Sequence, residues 1–575
     1  MPTDIPFKDL PRQSALFLRY LERDPAAMRF YPAPPALDAL ETVARATAPL
    51  PFPRREVAAA LRRQNESFGA DAKVFRGIDD LGKPGGVAVL TGQQTGIFGG
   101  PLYTVYKALT AVELAVELRR RGVSAVPVFW METEDHDYKE ATKCAVMEVR
   151  PPAPAAPSAP AMVAARGVDF GAGLFPEAEV AAKAVGSLRF TETVGAATRA
   201  FAACWGDSPQ GAAWKAEAVA ALEGAYAPGA SFAEAFARTL HWLFAGTGLV
   251  VLDPADPGLK RLLTPVFRRA VAEAGRIRAA LTRRDGELRA AGFHSQVKVL
   301  DGATTLFLTV DGRRHALEQT SGPESADGAA PAFRLKNGGG EFSEGELLEL
   351  AERRPEAFSP NVLLRPIAQD ALLPTVAYAG GAAEVAYFAQ VEALYKIFGR
   401  AMPVVWPRDA FTLVEPEVAA AMGRTGVGFT DVFAGEAALV EKALLRAGGG
   451  GMSSRLERLY GRLDAGLRGI QTDAGEIEGG LEGVVDAVRR KALHNVRNLK
   501  ARVVRMETGG GAGDAAADAA TIANHLLPEG NLQERELTIF HFLAKHGPAV
   551  MDALRAAVSV EGFTHRLVEL RSLPR

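Results

Sequence analysis

Apolar positions along this chain follow two rhythms. Short runs at Val87 to Leu90, Val126 to Met131, Leu249 to Leu252, Leu372 to Ala379 and Val404 to Trp406 are bounded by glycine, proline or acidic residues. Such runs are too brief for helices and predict strands apolar on both faces, as in a parallel sheet covered by helices on either side. Between the first two, Val105, Leu109, Val112 and Val116 recur at helical spacing until Gly122, with Pro101 as the first helical residue, so this stretch is a βαβ unit. Five strands with intervening helices suffice for a doubly wound α/β fold.

The remaining patterns divide the chain further. Residues 1–70 read as a helical leader, with a helix-like run from Arg54 to Phe68, and 71–150 as the first half of the sheet. A proline and alanine tract at 151–162 cannot propagate a helix or a central strand, and opens a helical insertion that ends near 245. The core continues over 246–295. Within 296–357, VKVL, TTLFLTV and RRHALEQ are separated by Asp-Gly pairs, which favour hairpins; a small antiparallel insertion able to close over a pocket is expected. The second half of the sheet occupies 358–415. Over 416–510, Leu456, Leu459, Leu463, Leu467 and Ile470 open a long series at steps of three or four, interrupted by Gly475, Gly479, Gly480 and Gly483. This predicts two antiparallel coiled-coil helices, about 453–473 and 481–506, rather than one rod. A heptad seam needs a partner, so the arm is the expected homodimer contact. Residues 511–575 read as a linker, with 508–520 flexible, followed by closing helices.

Candidate chemistry collects at the predicted carboxyl ends of the strands, where open α/β sheets bind ligands. After the first strand, Thr91, Gly92, Gln93, Gln94, Gly96 and Gly100 form a glycine-rich loop, with Tyr103 and Lys107 on the helix behind it. The loop could cradle a phosphate or carboxylate on its backbone N–H groups. It matches neither G-x-G-x-x-G nor the phosphate loop, so a tight turn with packing glycines stays open. At the carboxyl end of the second strand sit Glu132, Glu134, Asp135, His136 and Asp137; the last four could serve as catalytic groups, or the group could form a solvated acidic loop; no zinc spacing is present and no metal is assigned. Asp253 ends the third strand, as a ligand contact or as a cap. Arg365, Gln369, Gly380, Gly381, Glu384 and Tyr387 surround the fourth, where a glycine turn and helix start attract an anion and arginine can clamp it.

The segments TGQQTGIFGGPLYTVYKA and PVFWMETEDHDYKE together resemble the BshC family, the cysteine-adding enzymes of bacillithiol biosynthesis. The likeness recurs in LVVLDPADPGLKRL, FSPNVLLRPIAQDALLPTVAYAGGAAEVAYFAQ, MPVVWPR and LLPEGNLQERE, collinear over almost the whole chain. The resemblance implies a Rossmann-like sheet with inserted connecting segments and a C-terminal coiled-coil domain. It also implies a ligase that joins the carboxylate of cysteine to the amine of glucosaminyl malate. That condensation needs an activated acid, so ATP is the expected cofactor, with Mg2+ left open. In architecture the family looks related to class I synthetases, but H-I-G-H is replaced by Gly92 to Gly96, and no K-M-S-K-S stretch occurs. On this reading the loop and Lys107 hold phosphate or carboxylate, Asp135, His136 and Asp137 bind the sugar amine and hydroxyls, and His136 takes a proton from the attacking ammonium. Arg365 holds malyl carboxylates or polyphosphate. The alternatives are a non-enzymatic dimeric nucleotide-binding scaffold and a Rossmann-type synthetase or nucleotidyltransferase acting on another amine.

Composition narrows the classes. With 575 residues and a formal charge of −2, three or four units are expected, and the arginines alternate with glutamates instead of forming a basic stripe, against a nucleic-acid footprint. No run of 18 apolar residues and no signal-like start occur, so no membrane association and a cytoplasmic location are expected. Cys144 and Cys204, the two cysteines, read as small hydrophobes rather than a disulfide or a nucleophile.

Overall fold

The computed structural model describes residues 3–150, 162–180, 183–205, 211–320, 332–336, 338, 340–446, 451–477, 481–507 and 511–570. Most of the proline tract, residues 151–161, lies outside them. The central sheet contains β1 (Val87–Gln94), β2 (Ala125–Glu132), β3 (Val250–Leu252), β4 (Thr375–Gly380) and β5 (Val404–Pro407). Their spatial order is β5-β4-β1-β2-β3, with every neighbouring pair parallel. This is the Rossmann order, and its direction reverses between β1 and β4, where a crevice opens beyond the strand ends. Helix α1 (Leu102–Arg120) makes the first crossover and is buried along most of its length; helices α2 (Pro257–Leu262), α3 (Arg365–Leu372) and α4 (Ala382–Phe398) flank the others.

Three local expectations change. The predicted loop at Thr91 to Gln94 is strand: Gly92, Gln93 and Gln94 pair with Trp130, Met131 and Glu132. Polar side chains hid the strand from an apolar-run criterion, and Gly92 serves close packing, since a Cβ there would lie 2.9 Å from the Trp130 carbonyl oxygen. Arg365 and Gln369 lie on helix α3, not in an approach to a strand, and Pro101 caps α1 rather than beginning it.

The helical insertion packs its aromatic residues against the turn before α1 and the closing helices, with Phe201 stacked on Phe98 at 4.2 Å and Trp205 on Phe540 at 5.8 Å. The second insertion is antiparallel, as expected: Ala303–Val310, Arg313–Gln319, Ala332–Leu335 and Glu341–Ser343, joined by Phe358–Pro360.

Beyond the sheet stand α5 (Pro416–Thr425), the antiparallel pair α6 (Gly451–Ile477) and α7 (Leu481–Glu507), then α8 (Gly511–Leu526) and α9 (Ile539–His546). The coiled-coil helices fall where the heptads put them. The expected flexible linker is instead helix α8 from Gly511; Ala515, Ala519, Ile522 and Leu526 form its buried face, and the alanine-rich composition that suggested a linker is also a strong helix former. Residues 508–510 lie outside the described residues. The chain closes with β6 (His565–Glu569), which pairs with both Thr3–Ile5 and Ala410–Val414. The leader therefore contributes a strand to the C-terminal unit as well as helices to the core.

Candidate functional site

The crevice between β1 and β4 is built around a buried lysine. One turn into α1, Lys107 is 3 % exposed. Its ammonium donates to the Gly92 carbonyl at 3.0 Å and Gln93 Oε1 at 2.8 Å, and forms an ion pair with Glu384 on the first turn of α4. The other Glu384 oxygen accepts the Gly381 N–H at 3.1 Å. Burial alone would raise the Glu384 carboxyl; the Lys107 charge and hydrogen bond, with Arg408 farther off, hold it below the ordinary carboxylate range. Gly380 and Gly381 permit this approach, because a Cβ on Gly380 would meet the Glu384 Cβ at 2.6 Å. Thr91 fastens the two strands by donating to the Ala379 carbonyl at 2.7 Å. Gln93 donates to the Tyr103 hydroxyl at 3.3 Å, and burial, reinforced by Glu140 and Glu384, pushes the Tyr103 phenol up to about 12.

Along the same rim, acids from β2 meet bases from elsewhere. Arg365 at the start of α3 lies 2.8 Å from Glu132. Burial opposes its charge, but Glu132 and the neighbouring tyrosines hold the guanidinium above its ordinary range. Glu134 pairs with Lys260 of α2, which also donates to the Phe358 carbonyl at 2.7 Å. Asp253 accepts from the Thr133 hydroxyl at 2.6 Å and, as a cap, from the Ala255 N–H at 3.0 Å; burial raises its carboxyl. Asp135 lies 4.0 Å from Arg314 of the β insertion, and His136 Nδ1 lies 3.5 Å from Asp135. Asp137 caps the following turn through the Glu140 N–H at 3.0 Å, and its carbonyl accepts from Gln94 at 3.4 Å. Glu140 is raised by burial and by Asp137, Asp135 and Glu132, the mark of crowded negative charge.

The structure thus brings Thr91, Gly92, Gln93, Gln94, Tyr103, Lys107, Glu134, Asp135, His136, Asp137, Asp253, Arg365, Gly380, Gly381 and Glu384 to one edge. The Tyr387 phenol, raised by burial, adjoins Tyr378 and Glu384. Gln369 is buried one turn inside α3. Gly96 and Gly100 are placed differently: their loop folds on itself and lies beneath the helical insertion. The Gly100 N–H donates to the Ile97 carbonyl at 3.1 Å and the Gly99 N–H to the Tyr226 hydroxyl at 3.3 Å. The Leu102 N–H, first of α1, donates to the Leu537 carbonyl at 2.8 Å. These donors are therefore engaged within the protein, and the exposed anion-binding cradle expected here is replaced by a packed turn. The helix start that faces the crevice is that of α4.

Sequence reasoning missed four rim residues: Lys260, Arg314, Arg408 and Glu534. Arg408 follows β5, its N–H donates to the Gly380 carbonyl at 2.8 Å, and its guanidinium grips Glu534 at 2.9 and 2.6 Å. A cation just past an apolar strand is the same signal that exposed the acids after β2, so Arg408 was findable in MPVVWPR. Arg314 comes from a distant hairpin, and spacing carried no sign of it. Beside the rim lies a cavity of about 310 Å³ whose lining includes Thr133, Glu134, Asp253, Arg314 and Ser359.

Comparison with known proteins agrees with this architecture. The family model described as "Bacillithiol biosynthesis BshC, N-terminal Rossmann-like domain" matches residues 3–409, and that of the BshC "C-terminal coiled-coil domain" matches 411–570. A Koribacter versatilis protein named "Putative cysteine ligase BshC" is 34% identical over 557 residues, covering 96% of this chain and 97% of its own. Proteins of the same name from Salinibacter ruber and Solibacter usitatus are each 32% identical, covering 96% and 97% of this chain and 96% and 98% of their own.

Proposed function

The chain belongs to the BshC family of bacillithiol biosynthesis, and on that premise we propose that it is a ligase joining the carboxylate of cysteine to the amine of glucosaminyl malate. The observation that carries the proposal is the convergence, at the β1–β4 switch and along β2, of closely alternating acids and bases: Lys107–Glu384, Arg365–Glu132 and Lys260–Glu134. Both substrates bear an amine and carboxylates. A rim of matched opposite charges can exchange its internal partners for such molecules at small net electrostatic cost, whereas a single-signed surface would reject half of each.

In this proposal Asp135 and the rim of the adjoining cavity receive the sugar amine and hydroxyls, and Arg365 turns from Glu132 to the malyl carboxylates. The start of α4, with Lys107 and Arg408 beside it, fits an anion: the cysteine carboxylate or the phosphates of ATP. ATP, when bound, supplies activation of that carboxylate. The amine nitrogen then bonds to the activated carbonyl carbon, the leaving group takes the carboxyl oxygen, and the ammonium proton passes to His136. Asp135 beside Nδ1 stabilises the resulting imidazolium. A cytoplasmic location and dimerisation through the arm belong to the same proposal. Exposed Leu459, Ile470, Val484, Val488 and Leu499 on α6 and α7 support dimerisation, since an apolar seam of this kind calls for a partner.

The test is to incubate the purified chain with ATP, cysteine and glucosaminyl malate and follow thiol and nucleotide products. Formation of the amide with pyrophosphate release supports an adenylate, and with phosphate release an acyl phosphate. Asp135→Ala and His136→Ala should lose at least 100-fold in rate while melting normally; unchanged thiol production in both removes them from the mechanism. A folded dimer without turnover supports the scaffold alternative.

A further inference from the structure

In the C-terminal unit a second cluster gathers where α5 meets α8. Glu415 caps α5, Glu417 lies in its first turn, and His525 is near the end of α8. One ligand atom from each lies within 4.8 Å of the others; Glu415 and His525 are buried and Glu417 is exposed. His525 Nδ1 is 2.8 Å from the Thr521 carbonyl oxygen, so a neutral ring carries its proton there and turns the Nε2 lone pair toward the carboxylates. That atom makes no hydrogen bond among the described residues and stands 3.7 Å from Glu415 Oε2. With the ring neutral, that buried lone pair faces two carboxylates and is repulsive unless a cation or a second ring proton joins them. An Nδ1–H bonded to a carbonyl is also the usual way a histidine is oriented toward a metal.

The remaining neighbours brace Glu415 from outside. Its Oε1 accepts from Lys545 at 2.9 Å and lies 3.2 Å from His546 Nε2, while Oε2 lies 3.4 Å from His541 Nε2. Lys545 in turn lies 3.2 Å from His541 Nε2. We propose that Glu415, Glu417 and His525 form a divalent transition-metal site, suited to Zn2+, that ties α5 to α8 at the base of the coiled-coil arm. One imidazole and two carboxylates are ordinary zinc ligands, and the exposed Glu417 side leaves room for water as a fourth.

The full-length chain, stripped with a chelator, is titrated with Zn2+ against a chromogenic competitor, and its melting is followed. The expected result is one strongly bound Zn2+ per chain and a higher melting temperature. Glu417→Gln should weaken binding at least tenfold while leaving the metal-free melting temperature unchanged, and His525→Gln should abolish it. Failure of the wild type to bind one equivalent, or equal binding by Glu417→Gln, overturns the site. An imidazolium signal from His525 in metal-free protein also overturns it, putting a proton in the place of the cation. None of these readouts depends on ligase activity.

Discussion

Lys107 and Glu384 show how a single residue pair can serve both fold and site. Lys107 is buried and Glu384 partly buried, its side chain 17 % exposed, and each neutralises the other across the β1–β4 switch. Lys107→Met leaves a partly buried carboxylate without its partner and should cost about 3 kcal/mol. Adding Glu384→Gln should return most of that loss, because a neutral pair needs no counter-charge; denaturant melts of the single and double variants check this. A second expectation concerns His565, fully buried on β6 with Nε2 2.8 Å from the Thr412 hydroxyl. Burial pulls its imidazole down to about 4 from 6.5, so the folded chain holds it neutral while the unfolded chain takes up a proton below about pH 6.5. Its contribution is thus full above pH 6.5 and is lost as pH falls toward 4. From pH 7 to pH 5 the wild type should lose about 2 kcal/mol more than His565→Gln, measured as the difference in urea-melt stability.

At the scale of elements, what the sequence displayed depended on what each element buries. The strands and α1 are buried by neighbours of ordinary apolar character, so Val87 to Leu90, Val126 to Met131 and the α1 periodicity announced them. The end of β1 was hidden because Gln93 and Gln94 carry the site's polar groups while their backbones remain in the ladder. The glycine turn after it looked like a ligand cradle because glycine supports both open loops and dense turns. Its partners, Tyr226 and Leu537, come from 127 and 435 residues later in the chain, a distance no local pattern spans. Helix α8 reads as a linker in sequence because glycines precede its alanines, yet its buried alanine face packs beside α5. In the coiled-coil arm the heptads placed α6 and α7 correctly, and their outward apolar residues give a direct test. Ile470→Asp with Val488→Asp should shift the proposed dimer to monomer in sedimentation velocity while leaving helicity nearly unchanged; a persistent dimer would move the contact elsewhere.

For the molecule as a whole, strand order does the organising. Order β5-β4-β1-β2-β3 makes the ends of β1, β2 and β4 adjacent, so residues near positions 92, 135 and 380 share one edge although more than two hundred residues separate the last from the first two. The β insertion and the C-terminal unit then reach that edge: the hairpin sends Arg314 toward Asp135, and the C-terminal unit sends Glu534 to Arg408 beside Gly380. The most direct measurement is the rate of cysteinyl amide formation, by mass spectrometry with ATP, cysteine and glucosaminyl malate, in wild type and in the Lys107→Met/Glu384→Gln double variant. The wild type should form the product, and the double variant, though folded, should be slower by at least 100-fold. A folded wild type that forms none, or a double variant that keeps pace with it, would contradict a ligase site at the β1–β4 crevice.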